Sequence, residues 1–156
     1  MKINIVGLEL LEKDLRVKTK NIIKKVLQSS NLNKIITISL IDSEQMIELQ
    51  KMFKNKNSVT DVLSFPLPEM EQKFEHTKNI LGDIVICVEQ TQKQALELGH
   101  EFIEELGVLV AHGLFHLLGL DHERSHEEAD LQMQAEMQLL EKAGLNPLLS
   151  LIGRQK

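Results

Sequence analysis

Leu81-Gly82-Asp83-Ile84-Val85-Ile86-Cys87-Val88 is the stretch that decides the fold. Five aliphatic residues and one cysteine in eight positions make it the strongest candidate for a central strand, rich in the branched side chains that suit a pleated sheet. Directly after it, Glu89 to Leu98 reads as a helix ended by Gly99, and 101–118 as a long apolar helix broken at Gly119. A strand followed at once by two helices needs a sheet for the strand and a helical layer to cover it.

Working outward, the alternation of residues 2–6 predicts a short strand, and 34–41 is a second, alternating and β-branched. Between them, Leu11, Leu15, Ile22, Ile23, Val26 and Leu27 form a helical stripe, so 9–29 is expected to be a helix. Asp42 and Ser43 can accept hydrogen bonds from the free N–H groups at the start of a helix over Glu44 to Phe53. Residues 54–61 are expected to form a loop, Val62 to Phe65 a strand stopped by Pro66, and 66–79 a connection with prolines at 66 and 68. A last helix runs from His126 to Lys142 and closes at Gly144, where a residue lacking Cβ can turn left-handed. The expectation is an α+β fold: one domain over 1–156, a mixed sheet of about four strands, and helices packed on it.

Composition narrows the function. The 156 residues suffice for one real core. Aromatics are only 3%, with no Trp or Tyr, which disfavours a platform for stacked bases. The single cysteine, Cys87, allows no internal disulfide, fits a reducing compartment, and reads as a small buried hydrophobe. No apolar run is long enough to span a membrane and Met1 to Val6 has no signal-peptide character, so a cytoplasmic protein without a membrane partner is expected. Net charge is −5 but unevenly spread: residues 1–56 hold eleven Lys/Arg against six Asp/Glu, and 57–156 hold seven against seventeen. A basic half beside an acidic half can hold an anionic substrate, though two solvated helix faces give the same count.

Chemistry concentrates in His112-Gly113-Leu114-Phe115-His116-Leu117-Leu118-Gly119-Leu120-Asp121-His122. His112 and His116 stand four apart on the expected helix, so their imidazoles project from one face one turn apart. Gly119 lets the chain fold back to bring in His122. Three imidazoles suit one Zn²⁺ per chain and leave the fourth tetrahedral position open, the pattern of a catalytic rather than a structural site. The metal site is thus expected at the end of the central helix. The pattern is that of the zinc peptidases, HExxHxxGxxH, except that Gly113 stands where they carry the general-base Glu, which argues against peptide hydrolysis. Asp121 has two readings, a hydrogen bond to a ligand imidazole or a cap on the turn. His76, His100 and His126 lie in or beside polar segments and are expected at the surface, and Met133 and Met137 are expected to pack.

The histidine run, together with Val59-Thr60-Asp61-Val62-Leu63-Ser64-Phe65-Pro66 and Leu81-Gly82-Asp83-Ile84-Val85-Ile86, resembles the motifs of the YbeY family of metal-dependent endoribonucleases. The resemblance extends over nearly the whole chain. It implies zinc, cytoplasmic action on single-stranded RNA, and a role in maturation of small-subunit ribosomal RNA and ribosome quality control. It also makes Thr60, Asp61 and Ser64 candidates for contacts with substrate or behind the ligands. The family pattern carries an Arg shortly before Thr-Asp-Val-Leu-Ser-Phe, and here alignment through Phe53 places Lys54 there, with Asn57 where an Asp is usual. A lysine neutralises phosphate as a point charge but lacks the two-pronged guanidinium contact. Lys54 is therefore the candidate catalytic cation. A ribosome-assembly factor that uses the metal only to organise its fold is the competing expectation.

Overall fold

The computed structural model describes residues 1–155. Strands β1 (Lys2–Val6), β2 (Ile35–Ile41), β3 (Val62–Pro66) and β4 (Ile80–Cys87) form one four-stranded sheet in the order β1-β2-β4-β3. β1 pairs parallel with β2 and β2 with β4, while β3 runs antiparallel to β4, with Leu63 opposite Val85. The mixed sheet expected from the sequence is present.

β4 is buried from both sides, as its aliphatic composition requires. Ile84 and Ile86 face the main core, and Val85 and Cys87 face a smaller cluster with Met46 and Leu63. That period-two division puts a helical layer on each face of β4. One layer is α2 (Ser43–Lys54), which supplies Met46. The other holds α1 (Lys13–Gln28) and α4 (Phe102–Leu117), with α5 (His126–Lys142) and α3 (Val88–Leu98) packed on α4. Every residue of α4 from Glu105 to Leu114 is buried, so this helix is the hydrophobic axis of the protein. A helix enclosed on all sides can dispense with a polar face, and its apolar composition follows from that.

Several boundaries differ from expectation, each for a local reason. The first helix starts at Lys13 rather than 9, because Gly7 turns the chain at φ +93° into a 3-10 turn over Leu8–Leu10. Leu11 and Glu12 are then extended before α1 begins. Leu11 still enters the core, at 4% exposure. α3 begins at Val88, with Cys87 as its extended N-terminal neighbour and Thr91 Oγ donating back to the Cys87 carbonyl at 2.7 Å. α2 extends one residue past Phe53, so Lys54 sits in a helical last turn and not in the loop. The 66–79 connection contains a 3-10 turn, Glu71–Lys73. Among the described residues no helix is long and apolar enough to cross a membrane.

Candidate metal centre

The centre begins with the close approach of α4 to the sheet. A Cβ on Gly113 would lie 2.8 Å from Ile84 Cγ2 and 3.1 Å from Ser64 Oγ, and Ser64 Oγ–H donates to the Gly113 carbonyl at 3.3 Å. Glycine at 113 therefore lets the helix sit directly on β3 and β4. A glutamate there would collide with Ile84 from its Cβ onward, so the peptidase base does not fit while α4 sits this close to the sheet.

α4 ends in a Schellman motif. Gly119, at φ +98°, donates its N–H to His116 O at 3.0 Å, and Leu120 N–H reaches Phe115 O at 3.0 Å. This left-handed residue reverses the chain and carries His122 back beside the last turn of α4. One donor atom from each of His112, His116 and His122 falls within 4.8 Å of the others. The rings stand 4.6 Å (112–116), 5.3 Å (112–122) and 5.4 Å (116–122) apart between centroids. His112 Nε2 and His116 Nε2 face each other at 3.0 Å. His122 Nδ1 is buried without a hydrogen-bond partner. Convergent ring nitrogens with an orphaned buried one among them suit a divalent cation, and the nitrogen-rich set suits zinc over magnesium or calcium. Burial, reinforced by repulsion from His112 and His122, lowers the His116 pKa to about 4, so its ring is neutral and able to ligate at physiological pH.

Behind His112 lies a polar cluster that sequence reasoning missed. Glu136 Oε2 accepts His112 Nδ1–H at 2.8 Å and Gln132 Nε2–H at 3.1 Å, and both acidic and amide side chains are fully buried on α5. Glu136 Oε1 accepts Ser150 Oγ–H at 3.0 Å and Leu151 N–H at 3.1 Å. Four donors thus converge on one carboxylate. With Nδ1 carrying the proton, the lone pair of His112 is left on Nε2, toward the other imidazoles. Gln132 Oε1 accepts the His122 backbone N–H at 3.2 Å, so one amide steadies two histidines. The signal was available: Gln132, Glu136, Leu139, Leu140 and Ala143 form one helical stripe, with two polar residues on an apolar face. Met133 and Met137, expected to pack, are half-buried beside it.

The imidazoles open onto a cleft of about 560 Å³. Lys54, Lys56, Thr60, Asp61, Ser64, Asp121 and Arg124 are among the residues that line it. Asp121 accepts Glu123 N–H at 2.9 Å and lies 3.7 Å from Arg124 Nε. The Glu123 N–H is the chief reason its carboxyl lies below the usual range. That is the turn-capping arrangement, and the carboxylate touching a histidine of the cluster is Glu136. Asp61 accepts Val62 N–H at 2.8 Å and Gln94 Nε2–H at 3.1 Å, and Thr60 Oγ–H donates to Asp61 at 3.4 Å. His100, expected at the surface, is a correction: only 9% of its side chain is exposed, and it bonds the buried Glu105 at 2.9 Å because the turn after Gly99 folds it under α4. His76 and His126 are exposed.

Residues 6–144 match the family described as "Endoribonuclease YbeY". A relative of that name from Macrococcus caseolyticus is 46% identical over 96 residues, 60% of this chain and 62% of its own length. Another, from Persephonella marina, is 38% identical over 123 residues, 78% of this chain and 79% of its own. The solution structure of a Thermotoga maritima protein superposes with a TM-score of 0.61 at 25% identity, covering 90% of this chain and 88% of the other. With its three-histidine cluster at the end of α4 and a match over most of its length, this chain belongs to the YbeY family.

Proposed function

We propose that this protein is a zinc-dependent endoribonuclease that cuts single-stranded RNA during maturation of small-subunit ribosomal RNA and in ribosome quality control. It acts in the cytoplasm as one domain over residues 1–156, with ribosomal RNA or the ribosomal subunit as its partner. The observation that carries the reading is the cluster of three imidazoles, without a carboxylate among the three, in a cleft whose lining includes Lys54, Lys56 and Arg124. His112, His116 and His122 are the ligands. A zinc ion bound there would supply Lewis acidity toward the phosphodiester.

The protein's own residues do the rest. Glu136, itself steadied by Gln132 Nε2–H, holds His112 in the tautomer that presents Nε2. Lys54 places an ammonium where charge grows on the phosphoryl oxygens, a stabilisation realised most fully in the transition state. Gly113 keeps a carboxylate base out of the site and with it the peptidase route. An open cleft with three cations in its lining admits a flexible, exposed backbone more readily than a stiff duplex. Thr60, Asp61, Ser64 and Asp121 complete the lining beside these cations.

The test is cleavage of single-stranded and duplex RNA by the zinc-loaded protein over a range of salt. Single strands should be cut first, and binding should weaken as salt rises. A 2′,3′-cyclic phosphate at the new ends would identify the RNA's own 2′-hydroxyl as nucleophile. Zinc-dependent casein hydrolysis without RNA cleavage would reverse the reading toward a peptidase. No cleavage with full zinc would favour the assembly factor.

A further inference from the structure

After α5 the chain turns at Gly144 and continues as a strap over 145–155, with 3-10 turns at Pro147–Leu149 and Ile152–Gln155. It is seated in the protein: Ser150 and Ile152 are each 1% exposed, and Leu145, Leu149 and Leu151 pack against the main core. The family match ends at residue 144, so the strap lies beyond it.

Two polar relays leave the strap, and each ends at a residue that lines the cleft. In the first, Ser150 Oγ–H and Leu151 N–H both bond Glu136 Oε1, whose other oxygen holds His112. In the second, Arg154 grips both oxygens of the fully buried Glu105, at 2.8 and 2.6 Å. Gln94 Nε2 then joins Glu105, at 2.8 Å, to Asp61, at 3.1 Å. His112 and Asp61 border the cleft, and so does Leu151 of the strap itself.

A carboxylate bonded through one oxygen alone can swing about its last torsion, which is broad and soft. The two strap donors on Oε1 remove that freedom and fix where Oε2 meets His112. We propose that the strap is a working part of the metal centre, and that Ser150 is a positioning residue that holds His112, through Glu136, with Nε2 directed at the ion. The inference rests on the zinc reading above. Ser150 touches neither metal nor substrate; its effect is on how tightly and in what geometry the ion is held.

The experiment compares full-length parent, Ser150→Ala and Ile152→Val proteins by chelator competition for Zn²⁺ and by the visible spectrum of bound Co²⁺. Ile152→Val trims the packing of the strap without removing a donor to Glu136. Ser150→Ala should bind Zn²⁺ about three- to tenfold more weakly and alter the Co²⁺ spectrum, the loss expected for one hydrogen bond behind a ligand. Ile152→Val should lower Tm while leaving affinity and spectrum as in the parent. Parent affinity and spectrum in Ser150→Ala would overturn the proposal. Equal weakening by both variants would also overturn it, since the strap would then act through stability alone. A parent that binds neither ion overturns the zinc reading, and the strap's role with it.

Discussion

Replacing Glu136 by glutamine should damage both stability and metal binding, although the two side chains have nearly the same shape. The carboxylate accepts His112 Nδ1–H and Gln132 Nε2–H on one oxygen and Ser150 Oγ–H and Leu151 N–H on the other. An amide offers one accepting oxygen and one donating nitrogen. If its oxygen stays on His112, the NH₂ group meets Leu151 N–H donor to donor. A buried donor left unpaired costs about 1–3 kcal/mol. In a protein of this length about 2–4 °C of Tm follows each kcal/mol. If the amide flips, NH₂ donates to His112 Nδ1 and the ring proton moves to Nε2, the nitrogen needed by zinc. Disturbing the group behind a metal-binding histidine typically lowers affinity about 10–100-fold. Thermal unfolding of the metal-free protein measures the first loss and chelator competition the second. A Glu136→Gln protein with both the parent Tm and the parent zinc affinity would refute the reasoning.

Other predictions follow from particular contacts. Gly113→Ala gains up to about 1 kcal/mol of helix propensity, but its Cβ would sit 2.8 Å from the buried, β-branched Ile84. Overpacking of that kind costs about 1–3 kcal/mol, so Tm should fall, and a rise would show that α4 can move off the sheet. Lys54→Ala should cut RNA about 10²–10³-fold more slowly with zinc content unchanged; Lys54→Arg should retain activity, and a fully active Lys54→Ala would make this side chain a spectator. Burial acts to raise the Glu105 pKa, but hydrogen bonds from Arg154, Gln94 and His100 outweigh it and leave the pKa lowered. A depressed carboxylate stabilises the fold above its unfolded value of about 4.5 and loses that contribution as pH falls through its folded value. Arg154→Met should therefore cost about 3 kcal/mol near neutrality, the lower end for a broken buried pair because Gln94 and His100 remain. The Tm difference from the parent should shrink below about pH 4.5, and a constant difference across the acid range would contradict the assignment.

The parts of this fold legible in the sequence are those encoded by neighbours along the chain. β4 was readable because both of its faces are apolar, and α4 because it is buried all round. The histidines were readable because a helical turn and a glycine reversal bring all three together within eleven residues. Glu136 was not, since it meets His112 across 24 positions and Ser150 across 14. Contacts that distant leave no periodic trace except the two polar residues on the apolar stripe of α5. His100 misled because its polar neighbours face solvent while its ring turns under α4 to Glu105. Lys54 reads as loop in the sequence because the end of α2 is set by Asn55 in a left-handed conformation, not by a glycine or proline that would announce it.

The zinc content of the purified parent and of His122→Ala tests the central claim most directly. His122 is the proposed ligand that the chain reversal at Gly119 brings in, and its removal leaves two imidazoles of a three-imidazole cluster. Both proteins should be loaded with zinc, dialysed free of excess, verified as folded by thermal unfolding, and analysed for metal by elemental mass spectrometry. The account predicts close to one zinc ion per parent chain, as a single cluster implies, and almost none in His122→Ala. Parent-level zinc in the variant, or a folded parent that retains none, would contradict it.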